Sequence, residues 1–366
     1  MKTTFAAIFL SLILLFSNCK EASRAQLILP DILRSTANEA HLSRDLGDCI
    51  LFHYIGCGGF LIQQGNEAVL LDPYFSNATL MKNPFQRLQS DTSLIDSFFI
   101  QKFKNRKDAE GVIQTVLISH AHHDHLADLP SLLRRNLNLE KTTVVGSQTT
   151  SNILQSYRLG FDAHQQMISF DTLFEKKDKR TRYISPSGRV QITAVKSEHA
   201  PHILGKKLPF IGGEVKNVPK TPPTKALDFK EGVNYNFMID FLNTNGSIHF
   251  RIFSNAGAAA NAPIGFPSPS LLSEKKVDIL LLCGANYNQV KGYPDKLISL
   301  IKPQKVFVAH WEDFFTPIPD LLKKPRVVPM TNIPKFIEIL KKTMLENGIE
   351  PKPIIVQPLT TIKIKY

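Results

Sequence analysis

The chain predicts an α/β layered domain, and three observations carry that expectation. Beyond residue 112, apolar strand-like runs alternate with helical stretches, the pattern of β-then-α units. Gly65-Asn66 and Asn245-Gly246 each separate two apolar runs, as hairpin turns do. The short apolar runs 279–282 and 306–309 flank a helical stretch at 295–301. With 366 residues and 43% hydrophobic content, the chain can bury a sizeable core, and length alone allows one large domain or two.

The first residues stand apart from that fold. Lys2 precedes an apolar stretch over 5–16, too short to span a bilayer comfortably, so 1–18 reads as a signal peptide. It ends at Ser17-Asn18-Cys19, which resembles the lipobox of bacterial lipoproteins, although Asn18 stands where a small Gly or Ala is usual. The resemblance implies cleavage before Cys19, lipidation of Cys19 and a lipid-anchored tether over 19–45. It places the protein in the cell envelope, on the periplasmic or surface side of a bacterial membrane; ordinary cleavage would instead give a secreted protein. Cys49, Cys57 and Cys283 form no CxxC pair and are expected as buried small apolar residues, with one bridge left open.

Residues 46–366 are treated as one domain. Strands are expected at 50–55, 60–63 and 68–71, the last ended by Asp72-Pro73, because proline removes a donor and fixes φ. In the long connection 75–111, Ile95, Phe98, Phe99 and Phe103 recur at helical spacing, which predicts a helix packed on the core. A helix is expected over 126–137, a strand over 142–145 and a helix over 148–159 closed by Gly160. Residues 190–195 alternate, with Val190, Ile192 and Ala194 on one face of a strand. A Pro-, Lys- and Gly-rich loop spans 205–232. Strands then follow at 233–242 and 247–253, a last helix at 333–345 and a final strand near Ile354.

Net charge is +12, with basic residues in short groups over 102–107, 176–182 and 206–230. No nucleic-acid motif accompanies them, so no nucleic-acid partner is expected. A basic surface suits an anionic substrate or anionic lipid, or is simply solvated.

Chemistry concentrates in Ser119-His120-Ala121-His122-His123-Asp124-His125, directly after the apolar run Val116-Leu117-Ile118. Four imidazoles and a carboxylate at the end of a buried strand point to a metal rather than to a solvated loop. His199 follows the strand at 190–195, and His310 ends the run 306–309, so both are delivered to a strand end. Taken alone, each is an ordinary packing histidine; beside a ligand cluster, each becomes a candidate partner.

His120, His122, Asp124 and His125 match the HxHxDH motif of the metallo-β-lactamase superfamily, which this sequence resembles over about residues 50–320. His199 matches that family's third metal-ligand segment, His310 its last, and Asp72 its structural aspartate near the site. Gly56-Cys57-Gly58-Gly59-Phe60 and Asp72-Pro73-Tyr74-Phe75-Ser76 look most like the branch of ascorbate-phosphate lactonases and N-acyl phosphatidylethanolamine phospholipase D. The resemblance implies a four-layer αββα sandwich with a zinc centre at one edge. His120, His122 and His199 would hold a first Zn2+, and Asp124, His125 and His310 a second; Mn2+ or Fe also suits these ligands. It implies a hydrolase in which a metal-activated water attacks a phosphodiester, lactone or other ester bond of a small anionic or lipid-like substrate.

One departure matters. Where the family carries a bridging aspartate, this chain reads Phe253-Ser254-Asn255-Ala256-Gly257. Asn255 offers only a neutral oxygen, so one metal of two should bind weakly: the site is mononuclear with Asp124 as catalytic general base on the metal-bound water, or dinuclear only with substrate bound, or it has lost catalysis, and the alternative function is then a catalytically impaired, lipid-anchored binding protein. His202 is a further candidate for coordination or for contact with an anionic leaving group. His123 is expected to be structural, and Cys57, Tyr287 and Trp311 to be packing residues that could line the site.

Overall fold

The computed structural model describes residues 32–33, 49–80, 83, 85–102, 113–135, 137, 141–160, 166–171, 182–201, 207, 212–257 and 259–365. The signal-peptide stretch, Cys19, Phe103 and His202 lie outside the described residues. In chain order the N-terminal half contains β1 (Ile32–Leu33), β2 (Cys49–Gly56), β3 (Gly59–Gln64), β4 (Glu67–Leu71), α1 (Thr92–Lys102), β5 (Ile113–Leu117), α2 (His123–Leu126), α3 (Leu129–Arg135), β6 (Thr143–Gly146), α4 (Gln148–Ser156) and β7 (Met167–Ser169). The remainder contains β8 (Arg182–Ile184), β9 (Val190–Ser197), β10 (Asn234–Leu242), β11 (Ile248–Asn255), α5 (Pro269–Glu274), β12 (Ile279–Cys283), α6 (Asp295–Ile301), β13 (Lys305–Ala309), α7 (Ile318–Lys323), α8 (Ile333–Glu346), β14 (Ile354–Val356) and β15 (Thr361–Lys365).

The strands form two sheets. One has the order β15-β2-β3-β4-β5-β6-β7, the other β1-β14-β13-β12-β11-β10-β9-β8. Period-2 alternation decides which residue faces which layer. Along β12, Ile279 and Leu281 join Phe52, Phe60 and Leu71 in a core between the sheets, whereas Leu280 and Leu282 pack outward with Leu297 and Ile298 of α6 and Phe336 and Leu340 of α8. The outer face of the other sheet presents Leu61, Leu70 and Val116 to Ile95, Phe98 and Phe99 of α1 and to Leu129 and Leu132 of α3. The layers are therefore helix, sheet, sheet, helix. Central strands are covered on both faces, which is why runs such as Ile279–Cys283 are apolar throughout. Val190, Ile192 and Ala194 face the inter-sheet core, the face that alternation in β9 predicts.

Several boundaries differ from expectation. The predicted helix over 126–137 is two helices, α2 beginning inside the histidine cluster and α3 starting at Leu129. Asp128 occupies the break, its carboxylate accepting the N–H groups of Phe75 and Ser76 at 2.7 and 2.9 Å. The helix predicted over 148–159 ends at Ser156; Ser147 caps its start by accepting from Thr150 N–H, and Gly160 follows with φ +71°. The strands β7, β8 and β15 and the helices α5 and α7 were not foreseen, being three to six residues long with no sustained period. Ile32–Leu33, within the stretch read as tether, pair in parallel with Ile355 and Val356 at a sheet edge.

Topology puts one set of strand ends on a common rim. β4, β5 and β6 are parallel, with Leu71 level with Leu117 and Leu117 level with Val145. In the other sheet, β11, β12 and β13 are parallel, and β9 joins β11 through antiparallel β10. Asp72, the histidine cluster, His199, Asn255 and His310 all follow or end strands at that rim.

Candidate metal centre

The cluster starts where β5 ends. Ile118 N–H still bonds Val145 O, after which Ser119 leaves the sheet. Ser119 donates its N–H to Asp72 Oδ1 at 2.7 Å and its hydroxyl to Asp72 Oδ2 at 2.6 Å. With its proton committed to Asp72, the hydroxyl accepts from His120 Nδ1 at 3.1 Å, which leaves Nε2 of His120 with the lone pair. The chain can approach this closely because residue 257 is glycine: a Cβ there would lie 2.1 Å from Ser119 Oγ and 2.6 Å from Asp72 Oδ2.

Two groups of ligand-type atoms result. His120, His122 and His199 form one, Asp124, His125 and His310 the other, and within each group the atoms lie within 4.8 Å of one another. The rings of the first group are almost equidistant, with centroids 4.7, 5.0 and 4.9 Å apart. His120 and His125, at 4.1 Å, join the groups. In the second, Asp124 Oδ2 is 3.5 Å from Nε2 of both His125 and His310. The sheets contribute separately: His120 to His125 follow β5, whereas His199 and His310 follow β9 and β13.

Backbone bonds cross between the sheets to hold this meeting. Tyr235 N–H donates to Ser119 O at 2.8 Å, and Ala121 N–H to Glu231 O at 2.9 Å. His199 Nδ1 is 2.7 Å from Ala200 O and donates to it, which turns the other ring nitrogen to the cluster.

Electrostatics prepare both groups for a cation. Burial holds the imidazoles of His120 and His122 well below the ordinary histidine range, and burial also lowers His199. Neutral imidazole is the ligating form. Burial opposes charge on Asp124, but His125 and the hydrogen bond from His310 outweigh it and hold the carboxyl well below its usual range. His125 is the converse: burial lowers it, yet Asp124 and Asp72 raise it overall. Asp72 Oδ2 lies 3.3 Å from His125 Nδ1, so two carboxylates flank one ring and the pocket favours positive charge.

The donor set fits a divalent cation. Nε2 of His120 and Nδ1 of His310 are buried without a hydrogen bond, a costly condition that coordination relieves, and the two ring nitrogens of His125 reach only carboxylates, at 3.3 and 3.5 Å. His and Asp donors suit zinc, and also manganese or iron.

The other predicted residues fall as follows. Asn255 ends β11 on the same rim, buried. His123 belongs to neither group and sets its ring edge-on to Tyr74 at 5.9 Å. Cys49, Cys57 and Cys283 are buried free thiols; Cys57, at φ +50°, contacts Asn77 Oδ1 at 3.6 Å. Trp311 is a core residue whose indole N–H donates to Val356 O, and Tyr287 packs on Phe336. Sequence reasoning missed Tyr54 and Glu312, which contact the backbone at His310 and Cys57, and Glu231, which shares its charge with His199 and Lys207. The signal for Tyr54 was a tyrosine in a strand buried throughout, whose hydroxyl must find a partner.

Residues 67–216 match the family model described as "Beta-lactamase superfamily domain". No curated protein matches the chain. Among solved structures, isothiocyanate hydrolase from Delia radicum gut bacteria is 12% identical, with 86% of this chain and 100% of that one covered and a TM-score of 0.48. Igni18, a metallo hydrolase from Ignicoccus hospitalis, is 14% identical over 87% of this chain and 99% of its own, with a TM-score of 0.46. The diiron β-hydroxylase CmlA from Streptomyces venezuelae is 13% identical over 87% of this chain and 54% of its own, with a TM-score of 0.43. The two layered sheets, the rim of strand ends and the matched segment give this chain the metallo-β-lactamase fold, with two candidate His/Asp metal-binding groups at its edge.

Proposed function

We propose that the protein is a metal-dependent hydrolase acting on a phosphodiester, lactone or other ester bond of an anionic substrate. The observation that carries this reading is the convergence, from two sheets, of His120, His122 and His199 beside Asp124, His125 and His310. A divalent cation held by either group supplies Lewis acidity, polarising a carbonyl or phosphoryl oxygen and making water a stronger nucleophile. The chain's own residues do the rest. Ser119 and Ala200 set the tautomers of His120 and His199. With only the His120–His122–His199 group loaded, Asp124, ionised between His125 and His310, would receive the proton released when water attacks; with the second group loaded it would be a ligand instead. The buried rim limits bulk water at the reacting bond.

An anionic substrate is supported by the net charge of +12. Zinc is the expected ion, at one or two per chain, with the second weaker because Asn255 supplies no bridging charge. The Cys19 reading places the protein on a bacterial membrane; loss of labelled fatty acid from Cys19→Ala, and its retention, are the opposing outcomes for that reading.

Asn255 favours a second reading, a binding protein on the same scaffold. The deciding experiment is a hydrolysis panel of phosphodiester, lactone and aryl ester run beside elemental analysis, for the native chain and for His122→Ala. Metal and turnover lost together in the variant support the hydrolase. A metal-replete native protein inert across the panel supports the binding protein.

A further inference from the structure

His310 has an uncommon backbone. It follows β13 at φ +53°, in the left-handed region that non-glycine residues rarely occupy. Something must hold it there, and the side chain is not enough: Nε2 reaches Asp124 Oδ2 only at 3.5 Å, and Nδ1 has no hydrogen bond. The backbone supplies the rest. His310 N–H donates to the hydroxyl oxygen of Tyr54 at 2.9 Å. That hydroxyl in turn donates to the Glu312 carboxylate, whose oxygens lie 2.8 and 2.7 Å away. Glu312 Oε1 also accepts Cys57 N–H at 2.6 Å. Tyr54, Cys57, His310 and Glu312 are all buried, so water does not substitute for any of these bonds.

Placement makes the arrangement specific. Tyr54 belongs to β2, in the sheet that carries Asp124 and His125, whereas His310 follows β13 of the other sheet. The second group of ligands is thus assembled across the sandwich, and the phenol spans the gap. The first group has its own crossing bonds, from Tyr235 to Ser119 and from Ala121 to Glu231. Gly56 completes the fit: a Cβ there would lie 3.3 Å from Glu312 Oε1.

We infer that Tyr54 and Glu312 are positioning residues that clamp the left-handed backbone of His310 and so set the spacing of the Asp124–His125–His310 group. The inference rests on reading that group as a metal site. It also accounts for how a second ion is kept where Asn255 offers no bridging carboxylate: rigid ligand placement substitutes for charge. Tyr54 touches no ligand-type atom of the cluster. It acts through the His310 amide.

The test uses the full chain, stripped of metal, titrated with zinc by calorimetry, together with hydrogen exchange at the His310 amide of the metal-free protein. The native chain takes two equivalents, the second weaker. Tyr54→Phe, which removes only the hydroxyl, weakens the second equivalent by about tenfold or more, leaves the first unchanged, and speeds His310 amide exchange. The intact first equivalent shows that the variant is folded. Should Tyr54→Phe not fold, Glu312→Gln carries the test, because it keeps an acceptor oxygen but removes the charge that anchors the phenol; it weakens the same equivalent by a smaller factor. A native chain that takes a single equivalent overturns the clamp. So do two equivalents whose affinities both variants leave unchanged. A native chain that binds no zinc overturns the metal-centre reading itself.

Discussion

Ser119 binds Asp72 twice, its N–H to Oδ1 at 2.7 Å and its hydroxyl to Oδ2 at 2.6 Å, and through this pair the end of β5 is fixed to the end of β4. Asp72 Oδ2 also stands 3.3 Å from His125 Nδ1, so one carboxylate serves both groups of the cluster. Asp72→Asn keeps an acceptor for the Ser119 amide and tolerates the φ of +42° at this position, but it removes the charge beside His125. Zinc affinity should fall by about 10- to 100-fold with little loss of fold. Competition with a chromophoric chelator reads the affinity, and circular dichroism reads the fold.

Gly257 is required by close approach. Alanine there would set a Cβ 2.1 Å from Ser119 Oγ, so either the hydroxyl or the strand must move. Gly257→Ala should lose about 1–3 kcal/mol and reduce metal content as well. Gly246→Ala is the control: its Cβ meets nothing within 4 Å, and only its φ of +81° carries a cost, about 1 kcal/mol, with metal content intact. Urea denaturation of both variants separates the two effects.

Arg251 is buried with its guanidinium on both oxygens of Asp240, at 2.7 and 2.7 Å, and on the carbonyl of Leu271. Arg251→Met alone strands the buried carboxylate and should cost about 3–5 kcal/mol, whereas Arg251→Met with Asp240→Leu should recover part of that loss, because Glu274 and the carbonyls of Leu271 and Lys275 still lack the guanidinium donor. Denaturant midpoints for the two singles and the double give the coupling.

The two sheets meet through aromatic contacts. Phe307 of β13 stacks on Phe52 at 4.9 Å and stands edge-on to Phe60 at 6.3 Å. Phe307→Ala should cost about 3–5 kcal/mol by the cavity it leaves, readable as a shift in the urea midpoint.

How much was legible depended on how local each signal was. β2, β3 and β4 showed as apolar runs around Gly65-Asn66, and the register pairs Gln64 with Glu67 across that two-residue turn. β8, only Arg182–Ile184, has one buried residue, too little for a period to declare itself. His120 to His125 announced themselves by density, and His199 and His310 by lying at strand ends once a cluster needed partners. Tyr54 and Glu312 are separated by 258 residues, so their bond belongs to the topology and is invisible to any window. The split of the helix after the cluster was likewise hidden, because Asp128 breaks it in order to bind Phe75 and Ser76, more than 50 positions upstream.

Elemental analysis of the purified chain and of His122→Ala decides whether the cluster is a metal centre. One or two equivalents of a divalent metal, zinc first, are expected in the native protein and their loss in the variant, with phosphodiester or ester turnover lost in parallel. Native protein free of metal, or a variant that keeps both its metal and its turnover, would contradict that expectation.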